Sequence, residues 1–170
     1  APPSEAQRAH LSATLGPIVA IANPLDYHTF IWGDGPKTVE VFSAMLEPYD
    51  AGIYIIDSPR ADRCDPSSYQ PAFDAIVAAQ KATGKIALPV ASMAENFGEA
   101  RVGDLMDRGV CTLLGLETAL AAIRQQIVTT ATAITTESAS SSGPWPTASV
   151  SAKKISLDRK QFNSGTPAIA

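Results

Sequence analysis

No apolar run in this chain approaches the roughly 20 residues that a membrane-spanning helix needs. A basic excess is also missing: 13 Lys and Arg stand against 17 Asp and Glu, a net charge of -4. That balance speaks against nucleic acid or an anionic membrane surface as the main partner. There are only two cysteines, Cys64 and Cys111, far apart and without metal-ligand spacing. They read as free thiols of a cytoplasmic protein. The opening Ala-Pro-Pro-Ser-Glu has neither the basic end nor the apolar centre of a signal peptide. It also lacks an initiator Met, as a piece of a longer chain would. Phosphate fingerprints of the GxGxxG and GxxxxGK kinds are absent, as are a GxSxG elbow and an HExxH pair. By this inventory the chain has no nucleotide site, no metal site and no convincing nucleophile. We assign it no catalytic residue and do not expect a self-sufficient enzyme.

What is there is an alternation of short apolar runs and helical patterns. A helix from Ser4 to Leu15, capped by Ser4, stops at Gly16-Pro17. Ile18 to Ala22 reads as a first strand, and Asn23 to Gly35 as a long aromatic loop. Pro36 suits the start of a helix running to about Leu46, with Val39, Phe42 and Leu46 inward. Gly52 to Asp57 is a β-branched run of the kind buried on both faces. The polar loop Ser58 to Pro66 follows, then a helix from about Ser68 to Thr83, stopped by Gly84. Lys85 to Ala91 is a strand that Pro89 should weaken or bulge. Asn96-Phe97-Gly98-Glu99 offers a capping box for a helix to about Arg108. Val110 to Leu114 and Leu116 to about Val128 give a last strand and helix. Such alternation predicts an α/β fold: a three-layer, flavodoxin-like parallel sheet with helices on both faces. The domain should cover residues 1–128. Residues 129–170 open on a Thr, Ser and Ala run containing Gly143-Pro144-Trp145-Pro146, which reads as a linker or tail.

Ligands of open α/β sheets gather at the carboxyl ends of strands. That singles out the loop after Asp57 and the helix behind it. Ser67 or Ser68 can cap this helix, with Gln70 completing a box if Ser67 is the cap. Pro71 falls in the first turn, where a missing N–H costs least. Free N–H groups and the helix dipole there would favour a phosphate or carboxylate, and Arg60 and Arg63 would add charge. The plainer reading is that every α/β domain has such ends and most meet only water. The Asn23 to Gly35 loop should leave the same sheet edge. His28 would be its only group titrating near neutrality, though a lone loop histidine is more often polar surface. Tyr27, Phe30 and Trp32 suit an interface or a loop packed on itself.

Taken in order, Ala22-Asn23-Pro24-Leu25-Asp26 and Tyr54-Ile55-Ile56-Asp57-Ser58-Pro59-Arg60-Ala61-Asp62-Arg63-Cys64-Asp65 resemble the carboxy-terminal domain of the succinyl-CoA synthetase β subunit. They resemble still more closely the equivalent domain of the NDP-forming acyl-CoA synthetases. Lys85 to Val90 and Glu95-Asn96-Phe97-Gly98-Glu99-Ala100 continue the likeness, which spans about Leu11 to Ile127. The resemblance implies one domain of a multidomain acid–CoA ligase. In that family ATP or GTP phosphorylates a histidine on another domain, and the phosphate passes to the acid. CoA then displaces it. Two helix N-termini stabilise the phosphohistidine by their dipoles. Carried over by position, one such end lies near Ser67 and Ser68, and the Ser58 to Asp65 loop lies near phosphate and acid. Asn23 and Asp26 would brace that edge. Ser58-Pro59 stands where the family has a glycine pair, and proline has no N–H, so Arg60 is left to meet a carboxylate.

The reading is therefore an accessory domain, inactive alone, that binds no cofactor or metal itself. ATP or GTP, Mg and CoA are implied for the whole enzyme. CoA-binding, phosphohistidine and ATP-grasp domains, in cis or as another subunit, are the implied partners, and homo-oligomers are open. The alternatives are a receiver-like or small-anion-binding module and a structural dimerisation domain. Asp57 ends a strand as a receiver aspartate does, but no Lys follows on a late strand.

Overall fold

The computed structural model describes residues 1–27 and 29–125. Helix α1 is Glu5–Leu15, and its start is fixed by a reciprocal capping box between Ser4 and Gln7. Helix α2 is Gly35–Leu46, where the Asp34 carboxylate accepts from the Lys37 N–H and Pro36 sits in the first turn. Strand β1 is Ala51–Ile55, helix α3 is Gln70–Thr83, strand β2 is Ile86–Ala91 and helix α4 is Glu99–Asp107. Strand β3 is Leu113–Leu114, and helix α5 follows over 116–125. Gly84 ends α3 with φ +65°, a left-handed conformation that glycine adopts without a Cβ clash. The boundary expected near residue 128, the helix end expected at about Val128, the expected linker or tail over 129–170 and His28 lie outside the described residues.

The sheet is parallel, open and ordered β1-β2-β3. Helices lie on both faces, in the three-layer arrangement of a flavodoxin-like α/β fold. On one face a single core joins Leu11 of α1, Val41, Phe42 and Leu46 of α2, Phe73, Ile76 and Ala79 of α3, and Leu105 of α4 to Ala87 and Ala91 of β2. Small residues on α3 let α2 and the sheet approach it closely: Ala72, Ala75 and Ala79 are buried. Val90, on the other face of β2, is fully buried yet outside this core. Ala119 of α5 is also buried outside it, and Gly115 and Leu116 donate to the Ala91 and Ser92 carbonyls at the mouth of that helix. So α5 supplies the second helical layer.

Several expectations need correction. Strand β1 ends at Ile55, not Asp57, and is not buried on both faces, since Ala51, Ile53 and Ile55 are exposed. Residues 18–22 form no strand. Val19 and Ile21 are buried in the core, but the Ile21 carbonyl accepts from Arg8 Nη1 at 2.7 Å instead of from a neighbouring strand. A side chain from α1 thus takes the acceptor that a sheet ladder would need. The last strand is two residues long and begins at Leu113, not at Val110; the Val110 N–H instead donates to Leu105 and finishes α4.

Pro89 neither bulges nor interrupts β2. The Ile86 N–H donates to Asp50 and the Ile56 N–H donates to the Val90 carbonyl. Ile86, Leu88 and Val90 therefore turn their backbone groups toward β1, and Ala87, Pro89 and Ala91 turn theirs toward β3. The missing N–H of Pro89 faces the β3 side, where pairing starts only at Val90↔Leu113. The ladder with β1 runs through Tyr54↔Pro89 without a gap.

Phe73 lies at the centre of the core, fully buried, with its ring 5.3 Å from that of Phe97. Phe73→Ala should lower unfolding free energy by about 3–5 kcal/mol in urea titrations. Met106→Ala, at a side chain 61% exposed, should change it by less than about 0.5 kcal/mol.

Candidate functional site: a cleft at the carboxyl edge of the sheet

Parallel pairing sends the chain out of β1 and β2 at the same end of the sheet. The two loops that emerge, 56–66 and 92–98, enclose a cleft of about 760 Å³. Ser58, Arg60 and Asp62 line one wall; Glu95, Gly98 and Arg101 line the other.

Asp57 clasps the two loops together. Its Oδ1 accepts from the Ser92 N–H and from Asn96 Nδ2, each at 2.8 Å, and its Oδ2 accepts from Ser92 Oγ at 2.6 Å. Partial burial pushes the carboxyl pKa up, but the Ser92 hydroxyl, the Asn96 amide and the Ser92 N–H outweigh it and hold the group below its ordinary value. With both oxygens engaged, Asp57 is a brace between loops. It is not presented as a phosphoryl acceptor. The expected capping box at Asn96 is absent for the same reason, since its side chain is spent on Asp57. Helix α4 starts instead at Gly98, with no side-chain cap.

Phe97 ties the second loop to the core through its edge-on contact with Phe73. Arg101 lies across the same ring, its guanidinium carbon 4.4 Å from the centroid, and donates to Gln70 Oε1 at the start of α3. A cation in the first turn of a helix opposes the dipole. That mismatch is the one signal in the sequence that points to Arg101.

Arg60 lines the cleft, where it forms a two-pronged pair with Asp62 at 2.8 and 2.9 Å. That pair lowers the Asp62 pKa. Any anion entering here competes with Asp62 for Arg60. Arg63 approaches the same carboxylate at 3.8 Å, its side chain 75% exposed, and does not line the cleft. Ser67 and Ser68 also stand outside it. Neither caps α3. Ser67–Tyr69 is a 3-10 turn, and α3 proper starts at Gln70 behind Tyr69 with no side-chain cap. Ser67 is a donor: its N–H and hydroxyl both go to the Asp65 carboxylate, at 2.9 and 2.8 Å. The chain's own Asp65 therefore holds the N–H that an external anion was expected to take. Gln70 is not part of a capping box, since its side chain bridges Asp74 and Arg101. The helix end that opens on the cleft is that of α4.

Asn23 Nδ2 donates to the Ala1 carbonyl at 3.1 Å and so ties its loop, which continues through a cis Asn23-Pro24 peptide, to the N-terminal residue. Asp26 is exposed, and it does not line the cleft. The aromatic loop reaches the 3-10 turn before α3 and the flank of α2. Trp32 stands edge-on to Tyr69 at 4.7 Å, and Tyr27 edge-on to Phe42 at 5.1 Å, whereas Phe30 is largely exposed. Among the described residues no group of three or more His, Cys, Asp or Glu is arranged to hold a metal, and no helix is long and apolar enough to cross a membrane. Both cysteines are exposed free thiols. Comparison with protein-family models, with curated proteins and with solved structures gives no match.

What this arrangement can do is bind. It offers a rim fastened by Asp57, two arginines, three carboxylates (Asp62, Glu95 and Glu99) and the first turn of α4, groups that can meet a charged ligand. The clasp gives a test. The folded pKa of Asp57 lies below its unfolded value near ~4. Its contribution to stability is therefore present above that value and disappears as pH falls through the folded pKa. Asp57→Asn should cost about 1 kcal/mol at pH 7, discounted for an exposed carboxylate. Urea titrations at neutral and acid pH should show the difference from wild type shrinking below about pH 4.

Proposed function

We propose that this chain is an accessory α/β domain of an NDP-forming acyl-CoA synthetase, an acid–CoA ligase. In this reading it offers a cleft to the phosphohistidine or acyl phosphate carried by a neighbouring module. One observation carries the reading. Two segments of family-like sequence, Ser58 to Asp62 and Glu95 to Ala100, are more than thirty residues apart, yet they line the same cleft. Topology brings both loops to this edge; what supports the reading is that the residues of each loop that line the cleft are nearly all family-like ones.

The geometry refines the roles. Asp65 already holds the N–H of Ser67, so the start of α3 is the poorer place for a phosphoryl group. The first turn of α4, uncapped by any side chain, is the better one, with Arg101 beside it and Arg60 across the cleft. Helix N–H groups and guanidinium donors suit a dianionic phosphoryl group. Asp62, Glu95 and Glu99 repel it until a partner supplies compensating cations. An open, charge-balanced cleft of this kind is expected to act only within the assembled enzyme. ATP or GTP, Mg and CoA then belong to the CoA-binding, phosphohistidine and ATP-grasp modules.

The chain alone should form no acyl-CoA from ATP, acid and CoA, and acetyl phosphate should leave the mass of the protein unchanged at Asp57. A peptide bearing a stable phosphohistidine analogue should shift the amide resonances of Gly98 to Arg101, and the shifts should be lost in Arg101→Ala. Shifts confined to Ser67 to Tyr69 would return the site to α3. No shift anywhere, or acyl-CoA formed by the isolated chain, would remove the reading. Combined with the three implied modules, Arg101→Ala should lower kcat about tenfold or more, as expected when a donor to developing charge is removed.

A further inference from the structure

The loop after β1 folds into a tight turn at the mouth of the cleft. The Arg60 carbonyl accepts from the N–H groups of both Arg63 and Cys64, each at 2.9 Å, and this holds Arg60, Asp62 and Arg63 beside one another. Asp62 stands between the two arginines. Its Oδ1 and Oδ2 take Arg60 Nε and Nη2, while Arg63 Nε lies 3.8 Å from Oδ2. The arginines differ in where they stand. Arg60 lines the cleft together with Asp62, and Arg63 does not.

Among the described residues, Asp62 is the one carboxylate of the cleft that is ion-paired with an arginine of the cleft wall. Glu95, on the opposite wall, attracts Arg60 without pairing with it. The Arg60–Asp62 pair is exposed, so it holds Arg60 by a few-fold and not by orders of magnitude. A ligand can therefore displace it. A carboxylate displaced in this way would ordinarily be left unpaired against the charge of the incoming anion. Here a second guanidinium is already next to it. Arg63 is 75% exposed, so side-chain rotations alone bring it and Asp62 together while the turn stays as it is.

We propose that Asp62 is a latch on the cleft, which holds Arg60 until a phosphoryl group takes that arginine and which then passes to Arg63. The inference rests on the phosphoryl reading of the cleft given above and adds its regulation. The exchange conserves pairing: Arg60 leaves one anion for another, and Asp62 leaves one guanidinium for another. It also moves charge. Because Arg63 stands outside the cleft, the handover draws one negative charge away from the wall as the dianionic group arrives. Glu95 and Glu99 have no such second partner and stay where they are. Arg63, which touches no ligand in this scheme, is a positioning residue that acts through Asp62.

The test uses the full 170-residue chain and the peptide bearing a stable phosphohistidine analogue. Binding is read from the amide resonances of Gly98 to Arg101 at low ionic strength, and unchanged resonances elsewhere show that each variant is folded. Asp62→Asn should tighten binding about threefold to fivefold, and by less than about twofold when Arg60→Gln is also present. Arg63→Gln should weaken binding roughly twofold to threefold in the otherwise unaltered chain, and should change nothing in Asp62→Asn. That conditional effect separates a handover from a general surface charge, which would act in both backgrounds. Binding that Asp62→Asn does not tighten overturns the latch, as does equal weakening by Arg63→Gln in both backgrounds; either result leaves the phosphoryl reading standing. No shifts in the unaltered chain and none in Asp62→Asn remove that reading, and the latch falls with it.

Discussion

The parallel pairing of β1 with β2 governs this molecule. Five consecutive register pairs, Ala51↔Ile86 to Ile55↔Val90, fix the two strands side by side and in the same direction. A parallel pair cannot be closed by a tight turn, so the chain must cross back through α3. That return builds the core, because α3 carries Phe73, Ile76 and three alanines into it. It also releases both following loops at the same end. The cleft is thus a by-product of strand direction, and Asp57 needs only to fasten loops that topology has already brought together.

Fastening and recognition use different residues there. Asp57, Ser92, Asn96 and Phe97 spend their polar or apolar capacity on one another and on the core. Arg60, Glu95, Glu99 and the α4 first turn are left facing the cleft. Arg101 belongs to both groups, anchored on Phe73 and Gln70 while lining the wall. Sites that must keep their shape before a partner arrives are commonly built this way, with a locked layer behind the contacting one.

Most of the fold could be read from local signals. The Ser4 box, the Pro36 start and the Gly84 stop each act within a few residues, and each appears where expected; the β-branched run before Asp57 does form a strand, but one exposed on one face. What escaped depended on distant partners. Residues 18–22 have the pattern of a strand, yet Ile18 lies in a turn and Val19 in a bend, and Arg8 of α1 takes the Ile21 carbonyl. Ser67 has the right chemistry for a cap, but a hydroxyl donates as readily as it accepts, and Asp65 takes the proton. Asn96 likewise could cap a helix or serve a carboxylate 39 residues earlier, and a sequence does not rank those options. Arg60, by contrast, stood out from its place in the loop and does line the cleft.

Pro89 has a further effect on how the sheet can assemble. Its ring sits in the middle strand with the side that lacks a proton turned toward β3. Were β3 to slide toward the amino end of β2, a carbonyl would face that ring with nothing to receive it. The alignment of the third strand is therefore set by a forbidden position more than by an attractive one. Proline, usually kept out of inner strands, works here as a stop against mispairing.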